Sequence, residues 1–343
     1  DILPRADAEI KYAGVATIEV DQHIVLPGLM NAHGHAAMSL LRSYANDLSL
    51  KDWLDNHIWP VEARWVSDAF VFDGTQLAIG EMIKSGTTCF SDMYFFPEAA
   101  ARAAMDAGVR CQVAFPIFEF PCNWGSGPQE YLEKGLALRD QYRGSERIKV
   151  AFGPHAPYTV SDGTFEHILT LSEQLNLPIH CHIHETRQEI DDSLKQFGMR
   201  PLARLGKLGL LGPGFIGVHA VHLDDADLQL LADTGCSIAH CPTSNLKLAS
   251  GFAPVAKMRQ LGINVGLGTD GAASNNRLDL FGEMRLASLL AKGSSGDASA
   301  LPSGEILRMA TLDAANALGL GQQTVKSVAP TSAGVAYSSF SST

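Results

Sequence analysis

PIHCHIHE, residues 178–185, is a short apolar stretch in which histidines occupy alternate positions and the last residue is acidic. Short, nearly continuous apolar runs that are separated by helices are typical of parallel strands covered on both faces. Seven further runs resemble it, and the pattern that recurs is an apolar run, a polar turn and a segment of helical periodicity. The seven runs span 24–33, 87–93, 109–117, 148–155, 215–221, 236–242 and 263–270.

Helical periodicity fills the intervals between these runs. The segments are 73–86, 96–108, 161–176, 224–235 and 304–319, and in the first of them Leu77, Ala78, Met82 and Ile83 form an apolar stripe. Ser161 is a plausible N-cap, and Gly108 and Gly235 are plausible C-terminal stops. Eight alternations of strand and helix predict an α/β fold of the (β/α)₈ TIM-barrel type over residues 23–320. A doubly wound sheet is the alternative, but no G-x-G-x-x-G follows any of the strands.

The two chain ends do not fit the barrel pattern. Residues 1–22 contain one β-like run, VATIEV (15–20), and are interpreted as the remnant of a small β domain. Residues 321–343 are rich in Ser, Ala and Thr and are expected to form a poorly ordered tail. The sequence therefore predicts a barrel with an incomplete small β-sandwich built from the ends.

Composition limits the classes of partner. The chain has 343 residues, 46% of them hydrophobic, and a net charge of −11 without any Lys/Arg-rich stretch, which argues against nucleic-acid binding and favours a small neutral or cationic substrate. No signal peptide and no apolar run of roughly 18–20 residues is found, so we expect a soluble cytoplasmic protein without a membrane partner. The six cysteines form no C-x-x-C pair and are expected to be free thiols. Self-association is left open.

Polar residues gather where the predicted strands end. In a (β/α)₈ barrel the active site lies at the carboxyl ends of the strands, and apolar strands have no structural need for imidazoles there. A ring of imidazole and carboxylate at one mouth is what a divalent metal ion needs. The strand ends carry His33, His35, His155, His182, Glu185, His219, His240 and Asp270.

The first and eighth strands supply two histidines and a carboxylate. His33 and His35 are two residues apart, so in an extended strand both imidazoles point to the same side. Asp270, in the turn GTDG, places a carboxylate at the rim.

The fifth strand supplies a third histidine. His182 and His184 share one face, and spacing alone does not decide which of them is the ligand, while His180 lies deeper and is interpreted as a core histidine. Three histidines and one carboxylate predict one divalent ion, with zinc preferred and iron or manganese also suited to these donors.

Four motifs then point to a known family. The sequence resembles the amidohydrolase superfamily, and within it the 5′-methylthioadenosine/S-adenosylhomocysteine deaminases, over roughly residues 24–320. The motifs are NAHGHAAMSLLR (31–42), GPHAPY (153–158), HIHET (182–186) and GTDGAASNN (268–276).

The resemblance implies a role for each candidate residue. By this resemblance Glu185 is the proton shuttle, and His219 lies beside the attacking water. His155 contacts the substrate, and Glu62 binds the ribose hydroxyls. Glu185 and Asp270 also face the substrate. The implied metal ligands are His33, His35, His182 and Asp270.

A hydrolytic deamination of an adenosine-type nucleoside follows as a hypothesis. The metal lowers the pKa of water to about 7. Asp270 accepts the water's proton, Glu185 protonates N1 of the base, and His219 orients the hydroxide and stabilises the developing charge. Asp270 then protonates the departing amine, which leaves the inosine analogue and ammonia.

Some features depart from the family or leave rivals. Residues 113–127 contain none of the arginines that could bind the carboxylate of S-adenosylhomocysteine, which favours methylthioadenosine or adenosine. A second metal is not expected. The lysine of the fourth strand that could help to hold it, Lys149, lies at the start of that strand, far from the mouth. The rival functions are a guanine or other heterocycle deaminase, a triazine-type hydrolase on the same metal centre, and a non-catalytic or truncated barrel.

Overall fold

Eight parallel strands form a nearly closed barrel. The structure is a computed structural model that describes residues 3–19, 23 and 25–321. Each strand is hydrogen-bonded to the next in chain order, and β8 returns to β1, where Asp270 N–H donates to His33 O at 3.0 Å. The strands are β1 (Leu29–Gly34), β2 (Thr87–Asp92), β3 (Arg110–Ile117), β4 (Ile148–Pro154), β5 (Ile179–Ile183), β6 (Phe215–His219), β7 (Ser237–His240) and β8 (Asn264–Leu267).

The predicted barrel is confirmed, because each of the eight apolar runs coincides with one strand to within a few residues. Nearly every strand residue is buried, since side chains on one face fill the barrel and those on the other pack against helices. For example, α5 packs against β3 and α7 packs against β4. Burial on both faces explains why the runs are continuously apolar rather than alternating.

Helices connect the strands. Ser161 caps α7 by accepting the Thr164 N–H, and Gly108 and Gly235 end their helices in the left-handed conformation, as predicted. The helices are α1 (Arg5–Lys11), α2 (Leu50–Trp53), α3 (Trp59–Trp65), α4 (Asp68–Lys84), α5 (Pro97–Ala107), α6 (Pro128–Gln141), α7 (Asp162–Leu175), α8 (Arg187–Phe197), α9 (Pro201–Lys207), α10 (Asp225–Thr234), α11 (Pro242–Lys247), α12 (Val255–Gln260), α13 (Ala272–Asn275), α14 (Leu280–Ser295), α15 (Ser303–Met309) and α16 (Leu312–Ala317). A 3₁₀ helix (Ala36–Leu41) follows β1, and a π-helical turn (Leu54–Ile58) joins α2 to α3.

Two helix predictions were inaccurate. The segment 304–319 is two helices, α15 and α16, separated at residues 310–311. The stripe expected on α4 was half wrong, because Leu77 and Ile83 are 52% and 50% exposed. The helix begins at Asp68, before the predicted segment, and its buried face runs through Val71, Thr75, Ala78, Ile79 and Met82.

The described part of the N-terminal segment contains one short helix and no strand. It holds α1, and residues 12–19 belong to no helix or strand. Within the described residues no strand pairs with the β-like run, whose Val15 and Ile18 are 63% and 84% exposed; its last residue, Val20, lies outside them. Of the predicted tail only Gly321 lies inside the described residues.

All six cysteines are free and five of them are buried, as predicted. In the described part of the chain, no helix combines the length and the apolar character that crossing a bilayer demands. The cytoplasmic location stays a prediction.

Candidate active site

The carboxyl ends of the strands surround one cavity. His33 lies just beneath its floor with no exposed surface. The other predicted site residues all line the cavity, and they are His35, Glu62, His155, His182, Glu185, His219 and Asp270. Residues from five different strand ends and from α3 therefore meet in one place.

Four donor atoms converge at the floor. Asp270 Oδ1 lies 3.4 Å from His33 Nε2 and 3.2 Å from His35 Nε2. His182 Nε2 lies 3.2 Å from His33 Nε2. The donor atoms of His33, His35 and Asp270 all lie within 4.8 Å of one another. The same holds for the donor atoms of His33, His182 and His219, so His219 is also near. Three imidazoles and a carboxylate that face one point fit a divalent metal ion.

Hydrogen bonds behind the imidazoles fix their orientation. The Nδ1 atom of His35 contacts Met93 O at 2.5 Å, and Nδ1 of His182 contacts His155 O at 2.7 Å. Because a carbonyl only accepts, both Nδ1 atoms carry a proton, and the Nε2 atom of each ring is directed at the centre.

His180 provides the corresponding support for His33. Its Nε2 lies 3.0 Å from His33 Nδ1, and its Nδ1 lies 3.4 Å from Ser91 Oγ. It is completely buried below the floor, as the sequence predicted for a core histidine.

Asp270 is held by three donors. Its Oδ2 accepts from Ser244 Oγ at 2.6 Å and from Ser274 Oγ at 2.8 Å, and its Oδ1 accepts the Gly271 N–H at 2.8 Å. The serines therefore occupy one carboxylate oxygen and leave the other directed at the imidazoles.

The electrostatics of this cluster favour a cation. Burial lowers the pKa of His33 to about 4 and that of His182 well below its usual range, so both are neutral bases. Burial would also lower the pKa of His35, but its hydrogen bond with Asp270 prevails and raises it to about 9. Burial acts to raise the pKa of Asp270, and the hydrogen bonds from His33 and His35 outweigh it and hold the carboxyl ionised. The carboxylate thus attracts positive charge to the point that the imidazoles surround.

Glu185 and His219 lie beside the donor set. The Oε2 atom of Glu185 is 3.6 Å from His219 Nε2, and His219 Nδ1 lies 2.8 Å from Asn245 Oδ1. Because that amide oxygen accepts the Nδ1 proton, Nε2 of His219 is left facing the cavity as an acceptor. Burial raises the pKa of Glu185, although His219 opposes the shift, and a raised pKa helps the carboxyl to hold a proton.

Glu62 forms part of the opposite wall. It is 7% exposed, and its Oε1 accepts the Tyr94 hydroxyl at 2.6 Å. Burial raises the pKa of Glu62 to about 7, although this hydrogen bond lowers it. A buried carboxylate whose only described hydrogen-bond partner occupies one oxygen has the other free for a ligand.

His155 faces the cavity as an acceptor. Its Nδ1 lies 3.1 Å from Thr159 Oγ1, and that hydroxyl donates to Ala156 O at 3.1 Å. His155 Nδ1–H is therefore the donor to Thr159, and Nε2 keeps its lone pair. Burial lowers the pKa of His155 to about 3, which keeps the ring neutral.

The structure corrects the expectation that His182 and His184 point the same way. His184 has a φ of +51°, so the strand ends before it and its ring turns away from the cavity. The Nε2 atom of His184 accepts the Leu202 N–H at 2.9 Å. Of the two histidines, only His182 lies beside the other donor atoms, next to His33.

Several residues of the site were not found by sequence reasoning. The buried partners Tyr94, Ser244, Asn245 and Ser274 support predicted residues. Three of them lie in the polar stretches 242–245 and 272–275 after β7 and β8, and that polarity at strand ends was the available signal. Further cavity-lining residues, which sequence alone could not separate from core, are Trp53, Trp59, Met93 and Phe95.

Comparison with known proteins identifies a matching family, a related sequence and related solved structures. A family model described as "Amidohydrolase family" matches residues 24–325. A relative from Saccharophagus degradans, named 5-methylthioadenosine/S-adenosylhomocysteine deaminase, is 54% identical over 93% of this chain and 72% of its own length. An adenosine deaminase structure from Xanthomonas campestris with bound zinc is 48% identical, with a TM-score of 0.91 over 93% of this chain and 73% of that one. The zinc complex of atrazine chlorohydrolase TrzN from Arthrobacter aurescens is 26% identical, with a TM-score of 0.83 over 88% of this chain and 72% of that one.

Proposed function

Because the chain belongs to the amidohydrolase family, we propose that it is a zinc-dependent hydrolytic deaminase of adenosine-type nucleosides. The reaction replaces the 6-amino group of the base by oxygen and releases ammonia. One observation carries the proposal: the donor set, the protonatable carboxyl of Glu185 and the buried carboxyl of Glu62 line or floor the same cavity. The names of the related deaminases support it.

The metal would be held by His33, His35, His182 and Asp270. A divalent cation bound there lowers the pKa of water to about 7 and so supplies hydroxide at neutral pH. His33 and His182 are neutral and Asp270 is ionised, as such binding requires, whereas His35, with a pKa of about 9, would release a proton when the metal binds.

Glu185 activates the base. Its carboxyl donates a proton to N1 of the purine, which makes C6 electrophilic. The buried surroundings that raise the pKa of Glu185 favour the protonated form needed for this step. When the C6 carbonyl forms, Glu185 recovers a proton from the new hydroxyl.

Asp270 and His219 act on the other side of C6. Asp270 takes a proton from the attacking water and later passes it to N6, so the C6–N6 bond breaks and ammonia leaves. His219, oriented by Asn245, presents Nε2 to the attacking oxygen and holds it in line.

The remaining contacts hold the nucleoside. Glu62 Oε2 is the acceptor available for a ribose hydroxyl, because Tyr94 occupies Oε1. His155 Nε2 is a second acceptor that faces the cavity.

The surroundings of the ribose position favour an uncharged 5′ substituent. A second cavity shares Trp59, Glu62, Phe95 and Phe118 with the first. None of the described residues that line either cavity is Lys or Arg. An uncharged methylthio group or hydroxyl needs no cation there, whereas the carboxylate of S-adenosylhomocysteine would find none among these residues. We therefore expect methylthioadenosine or adenosine to be preferred.

Ammonia release tests the function. The purified enzyme, with and without added zinc, is supplied separately with adenosine, methylthioadenosine, S-adenosylhomocysteine, guanine and atrazine. Turnover of the first two supports the proposal. Turnover of guanine alone, or chloride release from atrazine alone, would replace it by one of the rival functions, and no turnover of any substrate by the zinc-loaded protein would favour a non-catalytic barrel.

Glu185→Gln tests the proton donor. The amide keeps the shape of the side chain but cannot deliver the proton, so we expect kcat to fall by about 10²–10⁴-fold. Near-wild-type turnover at unchanged zinc content would exclude this role for Glu185.

A further inference from the structure

The direction of the Glu185 side chain depends on a turn rather than on a strand. β5 ends at Ile183, two residues before Glu185. If the extended backbone continued, His184 would face the cavity together with His182, and Glu185 would face the opposite side. The structure shows the reverse, because Glu185 lines the cavity and His184 is turned away from it.

The reversal arises at His184, whose φ of +51° lies in the left-handed region. Residues with a β-carbon are disfavoured there, so such a conformation persists only where neighbouring contacts impose it. The contacts around this turn are therefore what decides which of the two side chains reaches the cavity.

Glu189 on α8 provides two of these contacts. Its Oε1 accepts the His184 N–H at 3.0 Å and its Oε2 accepts the Glu185 N–H at 2.8 Å. Both oxygens are used, and the side chain is 7% exposed. The two successive amides are thus held in one orientation by a single buried carboxylate.

The ring of His184 provides the third contact. Its Nε2 accepts the Leu202 N–H at 2.9 Å, and its Nδ1 lies 3.2 Å from His222 O. One ring nitrogen accepts and the other donates, so the imidazole is fixed at both ends. The ring is fully buried outside the cavity.

We propose that Glu189 and His184 are positioning residues that turn the carboxyl of Glu185 into the active-site cavity. The proposal rests on the proposed function, in which that carboxyl delivers a proton to the base. Capping of α8 alone is a different role, and Thr186 already fills it by accepting the Glu189 N–H at 3.2 Å.

Glu189→Gln separates positioning from simple stability. The amide has one acceptor oxygen, and its NH₂ group faces the second backbone N–H, so one of the two contacts is lost. A displacement of about 1 Å at a reacting group can cost on the order of a hundredfold in rate. We expect kcat for adenosine to fall between about tenfold and about a hundredfold, with KM within about twofold and zinc content unchanged.

Asp279→Ala is the matched control. Asp279 caps α14 by accepting the Phe281 N–H at 3.0 Å and does not line the active-site cavity. Its removal should lower the melting temperature while leaving kcat unchanged. If Glu189→Gln lowers kcat no more than this control does, the positioning role is wrong.

Hydrogen exchange gives a readout that does not depend on turnover. In Glu189→Gln at least one of the backbone amides of His184 and Glu185 should exchange faster, while the amides of β5 keep the wild-type rate. Unchanged exchange at both amides would overturn the proposal. If the wild-type enzyme deaminates no nucleoside, the proposed function fails, and the exchange experiment still decides whether Glu189 holds this turn.

Discussion

Replacing Glu62 by alanine tests whether this carboxyl binds the ribose. Tyr94 occupies Oε1 at 2.6 Å, so Oε2 remains for at least one ribose hydroxyl. A hydrogen bond to a charged acceptor contributes about 1.5–3 kcal/mol, which corresponds to a change of about 10-fold to about 150-fold in kcat/KM. We expect Glu62→Ala to lower kcat/KM for adenosine by a factor in this range.

A substrate without the hydroxyls isolates the contact. With 2′,3′-dideoxyadenosine the wild-type enzyme already lacks the bond, so Glu62→Ala should have little further effect. The measured quantity is the ratio of kcat/KM for adenosine to that for dideoxyadenosine, followed by ultraviolet absorbance. If this ratio is the same in the wild-type and variant enzymes, Glu62 does not recognise the ribose and the nucleoside assignment loses its main support.

The pH dependence of the same ratio gives a second test. Burial raises the pKa of Glu62 to about 7, so the carboxyl is protonated below that pH and is the stronger, ionised acceptor above it. The ratio should therefore rise between about pH 6 and about pH 8 in the wild type and stay flat in Glu62→Gln. Because the Tyr94 hydroxyl lowers this pKa, Tyr94→Phe should move the rise to higher pH.

Three further predictions concern the floor of the cavity. Removing metal with a chelator should abolish ammonia release and lower the melting temperature, and added zinc should restore both; full activity of protein shown to be metal-free would contradict the assignment. His180→Phe removes the partner of His33 Nδ1 and should weaken zinc binding about 10-fold to 100-fold, measured by competition with a chelator, whereas unchanged affinity would show that the contact is not needed. Asn245→Leu removes the acceptor of the His219 Nδ1 proton and should lower kcat about 5-fold to about 150-fold with zinc content unchanged, and wild-type kcat would refute the orienting role.

The arrangement of the strands and the location of the site could be predicted because both depend on burial. Strands covered on both faces read as continuous apolar runs, so polar residues at their ends stand out. His33, His182 and Asp270 are far apart in the sequence, yet the barrel brings all strand ends to one mouth. The barrel topology thus shows which residues meet, which the spacing of residues within one strand does not.

Local backbone geometry could not be predicted in the same way. The alternation rule assumes extended backbone, and it failed at His184, where one left-handed residue exchanged the directions of two side chains. The stripe on α4 failed for a similar reason, because the helix packs through the face that contains Val71 and Thr75 rather than Leu77 and Ile83. Both outcomes depend on neighbours that are remote in sequence.

Left-handed backbone recurs at the strand ends that supply Glu185, His219 and Asp270. His184, His219, Ala220 and Asp270 have φ values of +51°, +70°, +47° and +60°. Residues held in such sparsely populated conformations cost of order 1–3 kcal/mol each, and they cluster where surrounding structure imposes them for function.

The structure shows what imposes them here. The carbonyl of His184 accepts the N–H groups of Val221 and His222, both at 3.0 Å, so the turns after β5 and β6 are hydrogen-bonded to each other. The Asp270 N–H donates to His33 O, which joins the turn after β8 to the strand that carries two predicted metal ligands. Because each turn is held by its neighbour, the side chains of Glu185, His219 and Asp270 are oriented before substrate binds. Such preorganisation spares the reaction the cost of ordering these groups during each turnover.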